Sequence, residues 1–137
     1  MGRPSETEAN VTDTPHYPGQ VGIDAYGNGG FRFAGISHRG SLLCLPTGMF
    51  AWGVADVGDI TAETLAPIFA VADDIDVLLI GVGPDIAAIP RDLREALRER
   101  RVIVEAVNTG SAIRTYNVLL AEERAVAAAL IAVDKVR

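Results

Sequence analysis

Cysteine is nearly absent: Cys44 is the only one in the chain. A lone thiol cannot close an internal disulfide, and the sequence suits a reducing compartment. His16 and His38 do not stand at metal-ligand spacing with Cys44 or with a carboxylate cluster, so no metal site and no cofactor are read. Basic residues are outnumbered, 12 Lys and Arg against 18 Asp and Glu, for a formal charge of −6. Nucleic acid and anionic membranes need clustered cations, so neither is expected as a partner. Long apolar runs are missing too. The longest, Val77 to Val82 and Ala125 to Val133, are too short to cross a bilayer as helices. No basic n-region leads into an apolar stretch, and Met1 to Thr14 carries Glu6, Glu8 and Asp13 against Arg3. A cytoplasmic location is the expectation. Repeats and low-complexity tracts are absent.

What remains is ordinary globular material. The 137 residues are 49% hydrophobic and 22% charged, which suits one domain that needs no staples. Residues 1–15 are polar, lack apolar periodicity and include Pro4 and Pro15, so a mobile tail is expected there. Residues 16–137 are expected to form the domain, with Tyr17 as an anchor.

From Val21 to Val54 the pattern is of strands. Gly27-Asn28-Gly29-Gly30 offers positive φ for a turn, and Phe31-Arg32-Phe33 alternates as a half-buried strand does. His38-Arg39-Gly40-Ser41 is a second turn candidate. Leu42 to Leu45 is continuously apolar, as in a strand covered on both faces. Pro46-Thr47-Gly48 separates it from Met49 to Val54, and the whole predicts a small antiparallel meander. Beyond it the style changes. Thr61 is a candidate N-cap for a helix carrying Leu65, Ile68, Phe69 and Ala72, with Pro67 inside the pattern delaying or kinking it. Val77 to Ile80 predicts a buried strand, Pro90 to about Arg101 a helix with Leu93 and Leu97 on one stripe, and Val102 to Val104 another strand. Asn108, Thr109 and Ser111 offer caps for a third helix carrying Ile113, Tyr116 and Leu120. Alternating strands and helices imply parallel pairing with right-handed crossovers. Ala125 to Val133 reads either way: alanines favour a helix, brevity and Leu130-Ile131 a strand.

The run Asn108-Thr-Gly-Ser-Ala-Ile-Arg-Thr-Tyr-Asn117, with Glu123-Arg124-Ala-Val126 behind it, resembles the signature of a known family. That family is a Mth-like, adipogenesis-associated domain of unknown function, shared by bacterial and archaeal proteins and the mitochondrial complex I assembly factor 3. Ile23, Tyr26-Gly27, Gly29-Gly30-Phe31, Gly40-Ser41-Leu42, Pro46, Trp52, Leu79-Ile80-Gly81, Gly83 and Ile89-Pro90 follow the same order. The likeness spans about residues 17 to 133. Val107 stands where the family often has methionine and Ala132 where proline is common; neither touches the central motif. The resemblance implies a three-layer α/β fold whose mixed five-stranded sheet has mostly parallel strands. It also implies an added small β-layer from the N-terminal half, and it makes the final segment a strand antiparallel to the others. It implies a protein-binding or assembly-type role with protein partners, without catalysis and without an established reaction. The sequence specifies no oligomeric state.

Two segments are candidates for a ligand site, the alternative being a small-ligand protein, for an anion or nucleotide, or an enzyme. Gly81-Val82-Gly83-Pro84-Asp85 follows a parallel strand, where open α/β sheets place ligand crevices. The third glycine of the dinucleotide fingerprint is missing, because Ile86 stands there, so a tight turn is the plainer reading. In the second segment Thr109 and Ser111 can cap a helix, Arg114 can meet a carboxylate or phosphate, and Thr115, Tyr116 and Asn117 can add directed hydrogen bonds. A purely structural role has Arg114 paired with Asp85, Glu105 or Glu123 and Asn117 tying down a loop. Cys44 sits among apolar neighbours and is read as a buried packing residue. Asp73, Asp74 and Asp76 read as a solvated loop. Arg91, Arg94, Arg98, Arg100 and Arg101 interleave with Asp92, Glu95 and Glu99, which predicts an exposed, salt-bridged helix face.

Overall fold

A computed structural model describes residues 17–134. The expected tail, residues 1–15, lies outside them. Three short strands come first, β1 (Ala25–Gly27), β2 (Gly30–Phe33) and β3 (Ile36–Arg39), forming an antiparallel sheet in that order. The β1–β2 turn is Asn28-Gly29, with φ of 54° and 77°. Paired positive φ angles match the twist of a two-residue hairpin, and asparagine with glycine tolerates them. The β2–β3 turn has the same form but is built from Ala34-Gly35, at φ 51° and 75°. Alanine meets its Cβ penalty there, and nothing in its type signals a turn. Replacing exposed Ala34 by Asn or Gly should stabilise the protein by about 0.5–1 kcal/mol. Urea midpoints read this directly, and a lowered midpoint would contradict it.

His38 belongs to β3 and not to the expected turn; Gly40, at φ 93°, makes the turn alone. There the chain leaves the small sheet. β4 (Ser41–Leu45) and β5 (Gly48–Trp52) pair antiparallel around Pro46-Thr47, but they belong to the main sheet. The predicted single meander is thus divided between two layers. β6 (Val77–Gly81), β7 (Ile103–Val107) and β8 (Val126–Leu130) complete the main sheet in the order β5-β4-β8-β6-β7. β8 is antiparallel to β4, as expected, but parallel to β6. The correction follows from the crossover: a helix returns the chain between β7 and β8, so β8 runs with the parallel pair. All five residues of β8 are buried. Its alanines form a strand because the site is the sheet centre, covered on both faces, where packing overrides propensity.

The helices are α1 (Ala66–Ala70), α2 (Arg91–Glu99) and α3 (Thr109–Ala121). Thr61 does not cap α1. Pro67 has no N–H to donate to the residue 63 carbonyl, so residues 61–65 form hydrogen-bonded turns and the helix starts late. Pro90 sits at the N-cap of α2. The expected salt-bridged face is not found: between described residues the only ion pair is Arg100 with Asp73, at 3.4 Å and exposed. Alternating side chains split the core in two. Leu43, Phe50, Trp52, Leu78, Ile80, Ala127 and Ala129 face α1, α2 and the 54–75 segment. Leu42, Cys44, Met49, Leu79, Ala128 and Leu130 face α3 and the small sheet. The result is three layers, with the small sheet and α3 sharing one side.

Candidate functional site

The end of β6, the start of α3 and the chain leaving β8 meet at Thr109. Its side chain is fully buried. The hydroxyl accepts from the Gly83 N–H at 3.1 Å and donates to the Ile131 carbonyl at 2.8 Å, while the Thr109 N–H donates to the Gly83 carbonyl at 2.9 Å. Thr109 therefore does not cap α3. Asn108 does, its Oδ1 accepting from the Ser111 N–H at 2.8 Å. Gly81 is a glycine for a steric reason: a Cβ would lie 2.9 Å from the Thr109 Cα. Both residues are committed to joining elements.

The same holds for the second half of the motif. Asn117 grips Ile23 at two points, accepting from its N–H at 2.8 Å and donating to its carbonyl at 2.9 Å. The buried Tyr116 hydroxyl donates to the Val21 carbonyl at 2.7 Å and lies against the Cys44 thiol. Gln20 donates to the Val126 carbonyl at 2.7 Å. These bonds anchor the lead-in to the small sheet against α3 and β8, so Asn117 ties down a neighbouring segment, as its structural reading expects. Burial pushes both the Cys44 thiol and the Tyr116 phenol well above their ordinary values. Neither is poised as a nucleophile or base.

A cleft of about 380 Å³ opens beside this junction. Gly83, Asp85 and the exposed Ile86 supply one wall, and Asn108, Gly110 and Arg114 the other. Tyr26 and Val133 close it. Thus Gly83, Asp85 and Arg114 line one cleft, Gly81, Thr109, Tyr116 and Asn117 turn inward, and Thr115 is exposed outside the lining. Arg114 donates to the Ser111 hydroxyl of its own helix at 3.0 Å. It forms no ion pair with Asp85, Glu105 or Glu123. The pairing fails because Arg114 is solvent-exposed in its own turn and holding two long exposed side chains together gains little. Tyr26 was not anticipated. Its hydroxyl fills the space a Cβ on Gly110 would need. The glycine was the only available signal, and a glycine does not name its distant neighbour.

The span of residues 23–131 matches a family described as "Protein of unknown function (DUF498/DUF598)". The chain belongs to this family. It is 43% identical over 85% of its length to an uncharacterized protein of Rhodobacter capsulatus, covering 89% of that protein. It is 33% identical over 80% of its length to the NADH dehydrogenase [ubiquinone] 1 alpha subcomplex assembly factor 3 of Danio rerio. It spans 63% of that relative's own length. Among solved structures, one described as an outer membrane protein from Bartonella henselae shares 49% identity at a TM-score of 0.83. That likeness covers 87% of this chain and 100% of the other. A Mth938-like domain of Bordetella pertussis shares 27% identity at a TM-score of 0.74, covering 85% of this chain and 89% of that one. No helix among the described residues is long and apolar enough to cross a membrane. In this DUF498/DUF598 chain, the Thr109 junction and the Asn117 clamp both fall inside the matched span.

Proposed function

We propose that this chain is a protein-binding, assembly-type factor that works without catalysis in the cytoplasm. The observation that carries the reading is its likeness to assembly factor 3, at 33% identity in Danio rerio and 30% in Homo sapiens, over 80% of this chain in each case. By that likeness its client is a protein subunit awaiting incorporation, and NADH dehydrogenase subunits are the first to test. The geometry supports a scaffold: Tyr116 and Asn117, in the central motif, tie the lead-in of the small sheet to α3.

The test is deletion of the gene, with native gels of NADH dehydrogenase and crosslinking of the tagged protein to its subunits. Loss of assembled complex and a crosslinked subunit are expected. Normal complex with no crosslink would overturn the reading. Phosphate that raises the melting point of the wild type but not of Arg114→Gln would move it to anion binding.

A further inference from the structure

β7 is an edge strand of the main sheet. The Ile103 N–H turns inward to the Asp76 carbonyl, and the Val107 carbonyl accepts from the Val82 N–H. Strand alternation then turns the backbone groups of Val104 and Ala106 outward, to the open edge. Arg91, Arg94, Arg98 and Arg101 follow one another at spacings of three, four and three, a single row along one side of α2. Asp92, Glu95 and Glu99 form the adjoining row, with Glu95 one turn from both Arg91 and Arg98. The arginines are thus gathered, like charge beside like charge, and none of these four forms an ion pair with a described carboxylate. Arg94, Arg98 and Arg101 line a groove of about 300 Å³ floored by Val102, Ile103 and Val104.

Two further details mark this groove. Arg101 closes the end of α2 at φ 66°, a left-handed position where helices ordinarily place glycine. Ile103, 62% exposed, projects from the same edge. Arg94 donates to the Val104 carbonyl at 3.3 Å, a charged guard on an otherwise open edge.

We propose that the β7 edge and the arginine row of α2 form a docking site for an extended, acidic segment of a partner protein, added as a further strand. The occupant follows from charge complementarity. Carboxylates on the α2 face of the incoming strand meet Arg94, Arg98 and Arg101, in a protein whose net charge of −6 otherwise repels acids. Its alternate residues lie with Ile103 and Glu105 and are apolar or basic. A second copy fits badly, because pairing two β7 edges into one continuous sheet sets arginine row against arginine row. The proposal rests on the assembly reading and gives it a surface.

The probe is a short synthetic peptide alternating glutamate and valine, titrated at low salt and followed by backbone amide shifts. Shifts at Val104 and Ala106 are expected, with affinity falling about tenfold or more in Arg98→Glu. Arg101→Gly separates binding from folding: affinity falls while the melting point holds or rises, because glycine accepts the positive φ. The fully N-methylated peptide keeps its carboxylates, loses its donors and should not bind. No binding, shifts elsewhere, equal binding of the methylated peptide, or indifference to both arginine changes would overturn the site. A client crosslinked equally well by wild type and Arg98→Glu would also overturn it, while leaving the assembly reading intact. Peptide binding at β7 with normal NADH dehydrogenase in the deletion strain would overturn that reading and keep the site.

Discussion

Raising the pH from neutral to about 11 should cost the protein about 4 kcal/mol of stability through two side chains, Cys44 and Tyr116. Both are acids that burial keeps neutral in the native state, far above their ordinary values of 9.0 and 10.0. The unfolded chain releases both protons once the pH passes those values, while the native state retains them. Stability from this source is therefore complete below about pH 9 and is lost as the pH rises. Each group contributes about 1.4 kcal/mol per pH unit past its ordinary value, so by pH 11 Cys44 accounts for roughly two-thirds of the loss. Urea unfolding at neutral pH, pH 10 and pH 11 measures it. Cys44→Ala costs on the order of 1 kcal/mol in packing at neutral pH but removes the earlier part of the alkaline decline. Flat stability up to pH 11, or rapid alkylation of the native thiol, would refute the account.

The second large effect is expected at Thr109. Valine has nearly the same shape but no hydroxyl, so Thr109→Val leaves the Gly83 N–H and the Ile131 carbonyl without the bonds at 3.1 and 2.8 Å that now satisfy them. Two buried backbone groups stripped of partners cost about 2–4 kcal/mol. Thr109→Ser keeps the hydroxyl and should recover most of that. A Thr109→Val protein that unfolds at the wild-type urea concentration would show that the junction is held by packing alone.

Elements whose cause is local could be read from sequence. Asn28-Gly29 makes its turn because those residue types tolerate positive φ, and Leu42 to Leu45 is a strand buried on both faces because nothing polar interrupts it. Asn117 tying down a loop could be anticipated as a role, but not its partner. What escaped the sequence depends on distant neighbours. Ala34 takes a positive φ that its residue type does not signal, because the β2–β3 register requires it. The alanines of β8 become a strand because two other strands enclose them. Thr109 looks like a cap and serves as a cross-link, since only the fold brings Gly83 and Ile131 to its hydroxyl. The arginines of α2 interleave in sequence with Asp92, Glu95 and Glu99 without pairing with them, because holding two long exposed side chains together gains little.

The placement of β8 also has a consequence for synthesis. It is the last of the described strands, yet it stands between β4 and β6. Until residues 126–130 leave the ribosome, the β4–β5 hairpin and the β6–β7 pair have no strand to join them, and each exposes a raw inner edge. Such long-range closure is slow, and unpaired edges are where aggregation starts. The nascent chain is therefore most vulnerable just before residues 126–130 emerge, and a ribosome stalled upstream of Val126 would hold two half-sheets open to chaperones.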